Sequence, residues 1–534
     1  MKQYRCLLPK MLRKESHITR SRQTVFGGLS SLPDAKSHEI SDMMGLSPTA
    51  YPAMGTAERQ VRYETDTWGT PHGIFHHRDM VMARGERLYT ILRDGETEEI
   101  AALGDTDKRF AAFGSYLFIM PDGICYDADT GEIRSLSLSV EGLSQAILGE
   151  RYLTVWTLDW KAIGFCTGDG IAVTVRNYYL GSNAVFYRKI TGMTAGTLFL
   201  DEGFDLQGEY DISVSLAFPK LNRMLSCGDR LMGCIGNTVY ISEAGNPFNW
   251  YKSQNADGDP VELRIGGAGD VTACASLDGY AVFFKSDRIY RLMGRSAHDY
   301  IITELSAPGL TEENADSLCE LGGKLYYLAS GGVYAYDGET TAFVGAALPQ
   351  GLTRGIGGSD GVCYHLSAYT PDGRALRCVY HPERCAWYVT GQTRVVSMAS
   401  WEDLLFCQTA DGELLRNARV GEVLGTDAGR VKEYGSESPS FAIFGEAFGD
   451  SPDGLRLHAI HLRAEGNEDA VLTVRVAYDG QTAWETVGTI RGGVGGFYHM
   501  AVYPRRAQSY RIRMDMTGTW RVSEMVCDYE KGKQ

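Results

Sequence analysis

One short unit recurs seven times and constrains the fold more than any other feature of the chain. It consists of a tight turn, an apolar-aromatic strand and a second strand rich in tyrosine. From Gly228 onward the copies recur at the spacing of a four-stranded sheet with its turns, which is about 40–50 residues and is the period of a β-propeller blade. The spacing therefore predicts a propeller; consecutive β-sandwiches are the alternative, because their strands also recur at short intervals. The seven copies are Gly85–Tyr89, Gly114–Phe118, Gly228–Met232, Gly279–Phe283, Gly323–Tyr327, Gly361–Tyr364 and Glu402–Phe406.

Turn chemistry and strand periodicity agree with that interpretation. Eleven Asp-Gly dipeptides punctuate the chain, and Asp-Gly favours two-residue hairpin turns because both residues tolerate positive φ. Leu472–Tyr478 and Tyr510–Met516 alternate apolar and polar residues, as strands with one buried face do. Asp34–Met44 is the best candidate for a helix. The chain is predicted to be all-β.

The pattern also predicts domain limits. We expect an N-terminal basic arm and strap at residues 1–80 and the first propeller blades at 81–166. The repeat then fails, and residues 167–216 are predicted to form a small inserted β domain. The remaining blades occupy 217–435. Residues 436–534 lose the blade pattern and are predicted to form a β-sandwich-like region or a closing blade.

Composition excludes several classes of protein. The chain of 534 residues carries a net charge of −15, which argues against a general nucleic-acid binder with its basic excess. No apolar stretch approaches the length of a membrane span.

The segment Met1–Arg22 is basic throughout and lacks the apolar core of a signal peptide. The twelve cysteines contain no C-x-x-C and are predicted to be free thiols of a protein made in a reducing cytoplasm.

Several strings that resemble active sites fail the requirements of the chemistry. Gly357–Gly361 matches G-x-S-x-G, but no helix follows it as a nucleophile elbow requires. Asp127–Gly131 lacks the acidic twelfth ligand of a calcium loop, and Asn255–Asp259 is predicted to be a turn for the same reason. Gly266–Gly269 and Gly492–Gly496 precede no helix, so they are predicted to be loops rather than phosphate sites.

The thiol and imidazole groups give no closed metal site either. Cys378, His381 and Cys385 lie close together, but a structural zinc needs a fourth ligand, so strand, turn and strand are predicted.

A histidine-rich segment comes early in the chain. His72, His76 and His77 have only Asp79 as a near carboxylate in the sequence. We predict a solvated or interface cluster.

Two aromatic residues have two possible roles. Phe248 and Trp250 follow a strand and are predicted to plug the base of a blade; the alternative is an anchor in a ring interface. The sequence predicts no catalytic residue, no metal ligand, no cofactor-binding residue and no cofactor. The protein is not expected to be an enzyme.

Four segments resemble one family. Phe26–Leu46 with Tyr51–Met54 resembles the opening of bacteriophage tail proteins, which have an F-x-G-L-N-like string, a D-M-x-N-L-like string and then P-x-L. Gly236–Trp250, ending in S-E-A-G-N-P-F-N-W, is similar to their blade segment, and Ala281–Gly294 continues the likeness. Departures include Ser30 and Gly45, where the family usually has Asn. The remaining segment of the resemblance is Tyr503–Arg506 with Tyr510–Arg513.

The family is the stabilization or tail nozzle (tail tube) protein of short-tailed phages. The resemblance implies an irregular β-propeller with an inserted β domain, assembled as a ring of six at the distal end of the connector. It implies a location in the virion tail after synthesis in the host cytoplasm. The expected partners are further copies of the chain, the head-tail adaptor, tail fibre or tail tip proteins, and double-stranded DNA that passes without specific binding.

The acidic charge suits that role, because a channel for DNA should avoid binding what it carries. The basic segment Met1–Arg22 is then either an arm that docks on the adaptor or a solvated tail. Two other functions stay open: a receptor-binding or glycan-degrading propeller at the tail tip, and a bacterial scaffold for protein partners.

Overall fold

The computed structural model describes residues 18–30, 39–57, 60–63, 69–92, 96–179, 182–251, 256–402, 404–417, 433–434, 440–448 and 454–531. The chain divides into two compact units. The propeller unit spans 60–385 and 392–434, and the terminal unit contains 1–59, 386–391 and 435–534. Almost all regular structure in the described residues is β, as predicted.

The propeller unit contains seven antiparallel blades, which confirms the predicted fold class. The strands of blades 1 and 2 are Pro71–His77, Asp79–Arg84, Arg87–Ile91 and Thr97–Ala102, and then Arg109–Phe113, Tyr116–Met120, Ile124–Asp127 and Ile133–Ser135. Blades 3, 4 and 5 contain Arg223–Cys227, Arg230–Ile235, Thr238–Ile241 and Val261–Arg264; Ala273–Leu277, Tyr280–Phe284, Arg288–Met293 and Ile301–Ser306; and Cys319–Leu321, Lys324–Ala329, Gly332–Tyr336 and Thr341–Phe343. Blade 6 contains Thr353–Ser359, Tyr364–Tyr369 and Ala375–His381, followed by Ala386–Gly391, and blade 7 contains Val395–Trp401, Leu404–Thr409, Leu414–Asn417 and the distant Gln60–Arg62. Short 3-10 turns cover Glu312–Ser317 and Pro382–Arg384.

Apolar residues on both faces of the central strands make each blade a layer between two others. In the second strand of blade 1, Met80 and Met82 pack with blade 7, whereas Val81 and Ala83 pack with blade 2. A strand alternates its side chains between two faces, so an unbroken apolar run is what a two-sided blade requires. The core of this unit therefore lies between neighbouring blades.

The recurring unit found in the sequence is a hairpin turn. In six of the seven copies it joins the first and second strands of a blade; Gly85 joins the second and third strands of blade 1. Gly114 and Gly228 each begin a two-residue turn with φ near +60°, which is the glycine position of a type II′ turn. Asp278-Gly279 has positive φ at both residues, as a type I′ turn requires.

A strand from the start of the chain closes the ring of blades. Gln60–Arg62 pairs with Leu414–Asn417 on one side and with Glu433–Tyr434 on the other. Val61 at its centre is almost fully buried. Blade 7 is thus built from the first and the last strands of the propeller unit.

The interruption of the repeat is a closed six-stranded barrel. Its interior is filled by aliphatic and aromatic side chains, among them Trp160 and Phe165. Trp160–Ile163 is a one-turn helix that Asp159 caps by accepting hydrogen bonds from two backbone N–H groups. The barrel begins at Ser139, well before the expected limit of 167. Its strands are Ser139–Leu148, Tyr152–Thr154, Gly170–Tyr179, Ser182–Met193, Thr197–Leu200 and Gly208–Leu216.

The terminal unit combines both ends of the chain in one ten-stranded sheet, although the sequence suggested separate segments. Its longest strand, Leu455–Tyr478, pairs with Glu485–Ala501, Ser509–Thr517 and Trp520–Lys531. Buried residues alternate along it, as the sequence pattern predicted. The other strands are Ile18–Gln23, Ile40–Met44, Leu46–Ser47, Met54–Thr56, Ser440–Phe444 and Ala447–Phe448, and a 3-10 turn covers Pro48–Ala50.

Two local predictions in this unit are wrong. The predicted helix Asp34–Met44 is a strand over Ile40–Met44, and residues 34–38 lie outside the described residues. Pairing with Ser440–Phe444 provides backbone partners that an isolated segment lacks. The predicted loop Gly492–Gly496 lies inside the strand Glu485–Ala501.

Part of the predicted basic arm is bound to its own chain. Ile18–Gln23 forms a strand in the terminal unit. The Arg20 guanidinium donates two hydrogen bonds to the Asp528 carboxylate, at 2.7 and 2.9 Å. Arg22 Nε donates to Glu524 Oε1 at 2.6 Å. Residues 1–17 of the arm lie outside the described residues.

All eleven cysteines in the described ranges are free thiols, and seven of them are buried. Burial raises the pKa of Cys125, Cys234 and Cys378 to about 12, so these thiols stay protonated.

We predict that replacing Val61 by proline opens the ring of blades. Proline removes a backbone donor from a strand paired on both sides and leaves its partner unsatisfied, so the free energy of unfolding should fall by about 1–3 kcal/mol beyond the loss in Val61→Ala. Val61→Ala keeps the N–H and is the matched control for lost side-chain burial. Urea unfolding of both variants measures the difference; equal destabilisation would contradict a closing role for the backbone of this strand.

Candidate functional site

Buried and charged polar side chains converge at two places in the propeller unit. The first is the propeller axis, where the first strands of neighbouring blades contact one another. Between blades 4 and 5 the 3-10 turn Glu312–Ser317 takes part in this inner wall. This arrangement brings residues from distant parts of the sequence to one end of the axis.

An ion network ties several blades together there. Glu312 Oε1 accepts hydrogen bonds from Arg109 of blade 2 at 2.7 Å and from Arg223 of blade 3 at 2.8 Å. Arg223 also donates to Asp316 Oδ1 at 3.2 Å. We call these four residues the axial ion network. It links two blades to the turn that precedes blade 5.

The other side of the same turn is buried and fully bonded. Asn314 Oδ1 accepts from the backbone N–H of Gly355 at 3.0 Å. Ser317 Oγ accepts from Leu328 N at 2.9 Å, and the Tyr364 hydroxyl donates to the Ser317 carbonyl at 2.8 Å. The turn is therefore fixed to blades 5 and 6 and holds its acidic side chains towards Arg109 and Arg223.

The axial ion network consists of charge-assisted hydrogen bonds. Each of its carboxylates is paired with an arginine, and Arg223 is mostly buried. The arginine guanidinium presents several N–H donors in a fixed geometry, so one arginine can bind two carboxylates at once. Arg223 does this with Glu312 and Asp316, and the network thereby cross-links the blades.

The second place is the attachment of the inserted barrel to blade 3. Glu243 Oε2 accepts from Asn246 Nδ2 at 2.8 Å and from Asn249 Nδ2 at 3.2 Å. Asn246 Nδ2 also donates to the barrel carbonyl of Gly168 at 2.7 Å. Asn249 packs so closely on Gly170 that an added Cβ there would lie 2.7 Å from Asn249 Oδ1. The S-E-A-G-N-P-F-N-W segment is therefore the part of blade 3 to which the barrel is attached.

A buried ion pair completes the attachment. Asp169, 1% exposed, forms an ion pair with Arg134 of blade 2. Asp169 Oδ2 also accepts from Cys166 N at 2.7 Å. Burial raises the pKa of Asp169, and Arg134 and the Cys166 N–H oppose that shift. The Arg134 guanidinium lies 4.6 Å from the centre of the Phe248 ring.

Further contacts run from the barrel wall to the same segment. Lys189 forms an ion pair with Glu243, and the Tyr251 hydroxyl donates to Asp201 Oδ2 at 2.7 Å. The rings of Tyr187 and Tyr251 stack with centroids 5.9 Å apart. We name the whole set the barrel junction: Arg134, Asp169, Gly170, Lys189, Glu243, Asn246, Phe248 and Asn249.

The structure places the aromatic pair as predicted. Trp250 is 8% exposed and lies in the core between blades 2 and 3, with Phe248 packed against it. Trp250 Nε1 donates to the Pro247 carbonyl at 2.8 Å. The core interpretation is confirmed.

Of the three glycine- and aspartate-rich strings, Asp127–Gly131 and Ala256–Asp259 are turns, as predicted, whereas Gly357–Gly361, expected to be a hairpin loop, is a strand over its first three residues. Gly357–Gly361 ends a strand and enters a hairpin in which Ser359 pairs with Tyr364. Asp127–Gly131 joins two strands of blade 2, with Asp129 N donating to Asp127 Oδ1. Ala256–Asp259 is closed by Asp259 Oδ2, which accepts from Ala256 N at 2.7 Å; Asn255 lies outside the described residues.

Of the histidines predicted to form a solvated or interface cluster, His72 is not solvated. This residue is buried, with Nε2 at 2.6 Å from Asp105 and Nδ1 at 3.1 Å from Asp107. His76 stacks on the Trp401 ring. The two aspartates come from the later connection between blades 1 and 2, so local spacing gave no sign of them.

No group of three or more metal-ligating side chains occurs among the described residues. Cys378 is buried in a strand, whereas Cys385 is exposed in a turn, which fits the predicted strand, turn and strand. No helix within the described ranges is long and apolar enough to cross a lipid bilayer.

The residues of both polar sites were missed in the sequence. Asp169 was noticed only as an Asp-Gly turn, and Arg134 carried no motif. The sequence did contain one indication of the barrel junction. Glu243, Asn246 and Asn249 lie next to the core residue Trp250, and polar groups in such a position need hydrogen-bond partners.

When the chain is compared with known proteins, it shows similarity to the folds of solved structures. No protein-family model matches the chain, and no curated protein matches it. Among solved structures, BamB from Moraxella catarrhalis is similar at 14% identity over 67% of this chain and 96% of that one, with a TM-score of 0.31. PorZ, a surface component of the type IX secretion system of Porphyromonas gingivalis, is similar at 10% identity over 82% and 74%, with a TM-score of 0.26. Trypanosoma rangeli sialidase is similar at 10% identity over 96% of both chains, with a TM-score of 0.24. These likenesses assign no function to the chain.

We predict that Asp169→Ala loosens the barrel from the propeller. Removing one partner of a buried ion pair leaves Arg134 uncompensated, so stability should fall by about 3–5 kcal/mol. Glu141→Ala is the control. It removes an exposed barrel carboxylate that pairs with Arg176 and accepts hydrogen bonds from the Ser139 and Ser213 hydroxyls, and it should cost about 1 kcal/mol or less.

The double variant Arg134→Ala with Asp169→Ala separates pairing from folding. Its loss should be smaller than the sum of the two single losses, and limited proteolysis should cut first next to the barrel. Strict additivity in thermal unfolding would show that the two side chains do not act together.

Proposed function

We propose that the protein is a structural subunit of a phage tail nozzle. Copies would form a ring around a channel for DNA, joining the head-tail adaptor to distal tail parts. The barrel junction is the observation that carries this proposal. The segment whose sequence is similar to that family, Gly236–Trp250, contains the side chains that hold the barrel on the blades.

A subunit in the wall of a channel must keep a constant shape. A barrel connected by exposed loops alone would swing, because surface contacts contribute little energy. Here Asp169 is buried and paired with Arg134, so moving the barrel would separate the two charges and leave each without its partner. Such losses cost several kcal/mol each, which favours a single position of the barrel.

The axial ion network supports one location for the proposed channel. Arginines of blades 2 and 3 meet carboxylates of the turn that precedes blade 5 at the propeller axis. We therefore propose that DNA passes between subunits and not along the axis of a propeller. The net charge of −15 supports a wall that repels phosphates, because each basic contact would slow the passage of DNA.

The proposal predicts cyclic assembly. Six copies of 58.8 kDa give a ring of about 350 kDa. Mass photometry of the purified chain, alone and with the head-tail adaptor, measures this directly. Because isolated nozzle subunits need not assemble alone, the measurement with the adaptor decides: a closed ring supports the proposal, and a monomer under that condition contradicts it.

A receptor-binding role at the tail tip is the second candidate, and one surface favours it. On the outer face of the barrel Tyr152 and Phe199 lie directly opposite each other on paired strands. Trp156 follows shortly after the end of one of these strands and is 77% exposed. Exposed aromatic rings of this kind bind apolar faces of partners, including sugar rings.

We predict that this aromatic row decides between the two candidates. If the protein binds bacterial envelope glycans, Trp156→Ala should weaken binding at least tenfold, whereas Val362→Ala, an exposed apolar residue in blade 6, should not. Binding of purified protein to envelope polysaccharide, measured by interferometry, gives the answer. No binding by the unaltered protein removes the receptor candidate.

A further inference from the structure

We propose that His461 and His499 form a binding site for a divalent transition-metal ion of the Zn²⁺ and Ni²⁺ class. The proposed tail role does not include such a site. The two residues lie directly opposite each other on Leu455–Tyr478 and Glu485–Ala501 in the terminal unit. Their Nδ1 atoms face each other at 3.2 Å.

That separation matches a chelate. An imidazole nitrogen binds zinc at about 2.0–2.1 Å, so two nitrogens on a tetrahedral ion stand about 3.3 Å apart. The paired strands already hold the two nitrogens near this distance, and little ordering would accompany metal binding. In the metal-free protein one Nδ1–H donates to the other Nδ1, and the metal would replace that proton.

A carboxylate fixes the tautomer that the site needs. His461 Nε2 lies 3.0 Å from Asp528 Oδ2. The same carboxylate accepts two hydrogen bonds from the Arg20 guanidinium, at 2.7 and 2.9 Å, which fix its position. In this arrangement Asp528 accepts the Nε2–H of His461, which leaves the Nδ1 lone pair free for a metal. Metal-binding histidines commonly have such a carboxylate behind them.

The surroundings leave room for further ligands. His461 is largely buried and stacks on the Phe497 ring, with centroids 5.7 Å apart. His499 is exposed, so water can fill the remaining positions of the ion. Arg463, two residues further along this strand, is paired with Glu524 at 3.4 Å. Its charge is therefore compensated in part.

The site would have a mechanical consequence. Among the strands described, Glu485–Ala501 pairs only with Leu455–Tyr478. An ion held between His461 and His499 would cross-link these two strands in addition to their backbone hydrogen bonds.

Titration of the untagged full-length protein with Zn²⁺ and with Ni²⁺ tests the proposal. Cys166 and Cys385 are the exposed described thiols and are replaced by serine so that they do not bind the metal. We expect one ion per chain, a loss of affinity of at least a hundredfold in His499→Ala, and a loss of 10–100-fold in Asp528→Asn. His298→Ala, in an exposed loop of blade 4, is the matched control and should bind as the parent does.

A second measurement covers variants that fold poorly. Bound Zn²⁺ should raise the thermal unfolding temperature of the parent and of His298→Ala, and EDTA should reverse the shift. Equal metal affinity in His499→Ala and the parent, or no metal bound by the parent at 100-micromolar concentration (about the weakest affinity that a two-histidine chelate would show), would overturn the proposal. Failure of ring assembly would leave this result unaffected, because the site lies within one chain.

Discussion

A ring of layers that are apolar on both faces is stable only when it closes. Every blade of this propeller buries side chains against the blade on each side, so a missing or displaced blade would expose two faces at once. Gln60–Arg62 provides the closure by pairing with Leu414–Asn417. The interface beside it contains Met80, Met82 and other buried residues, each stabilising the fold by about 1.5–3 kcal/mol. The remaining interfaces depend on this one, because it turns an open stack into a ring.

The same closure gives the inserted barrel a fixed base. The barrel leaves the chain between blades 2 and 3, and the barrel junction attaches it to both, through Arg134 on one side and Glu243 on the other. If the two blades separated, these partners would separate as well. At the propeller axis the axial ion network also holds blades 2 and 3 together, because Glu312 accepts hydrogen bonds from an arginine of each blade. Shape in this unit is therefore maintained by interactions that span blades.

Much of the fold was predictable because it rests on local rules. Turn residues such as Gly114, Gly228 and Asp278-Gly279 require positive φ, and they marked the hairpins correctly. Leu472–Tyr478 alternated as a half-buried strand must. The wrong predictions concerned segments whose pairing partners lie far away in the sequence. Ile40–Met44, expected to be helical, is a strand because Ser440–Phe444 pairs with it. The closing strand Gln60–Arg62 is too short for any periodicity to show.

The candidate sites were harder to predict for the same reason. Asp169 and Arg134, like Arg109 and Glu312, lie on separate elements far apart in the sequence, so only folding brings them together. His72 was interpreted as part of a solvated or interface cluster because its two aspartates come from a later loop. Trp250 was assigned correctly, since an aromatic residue directly after a strand has few alternatives to the core.

The proposed role is that of a subunit that holds its shape around an axis shared by several copies. Cryo-electron microscopy of the chain mixed with a head-tail adaptor tests this proposal most directly. The account predicts closed cyclic rings with an open central channel, in which each subunit shows a seven-bladed propeller and the barrel in one fixed position. Single propellers that bind no second copy, or barrels that take many positions relative to the blades, would contradict it.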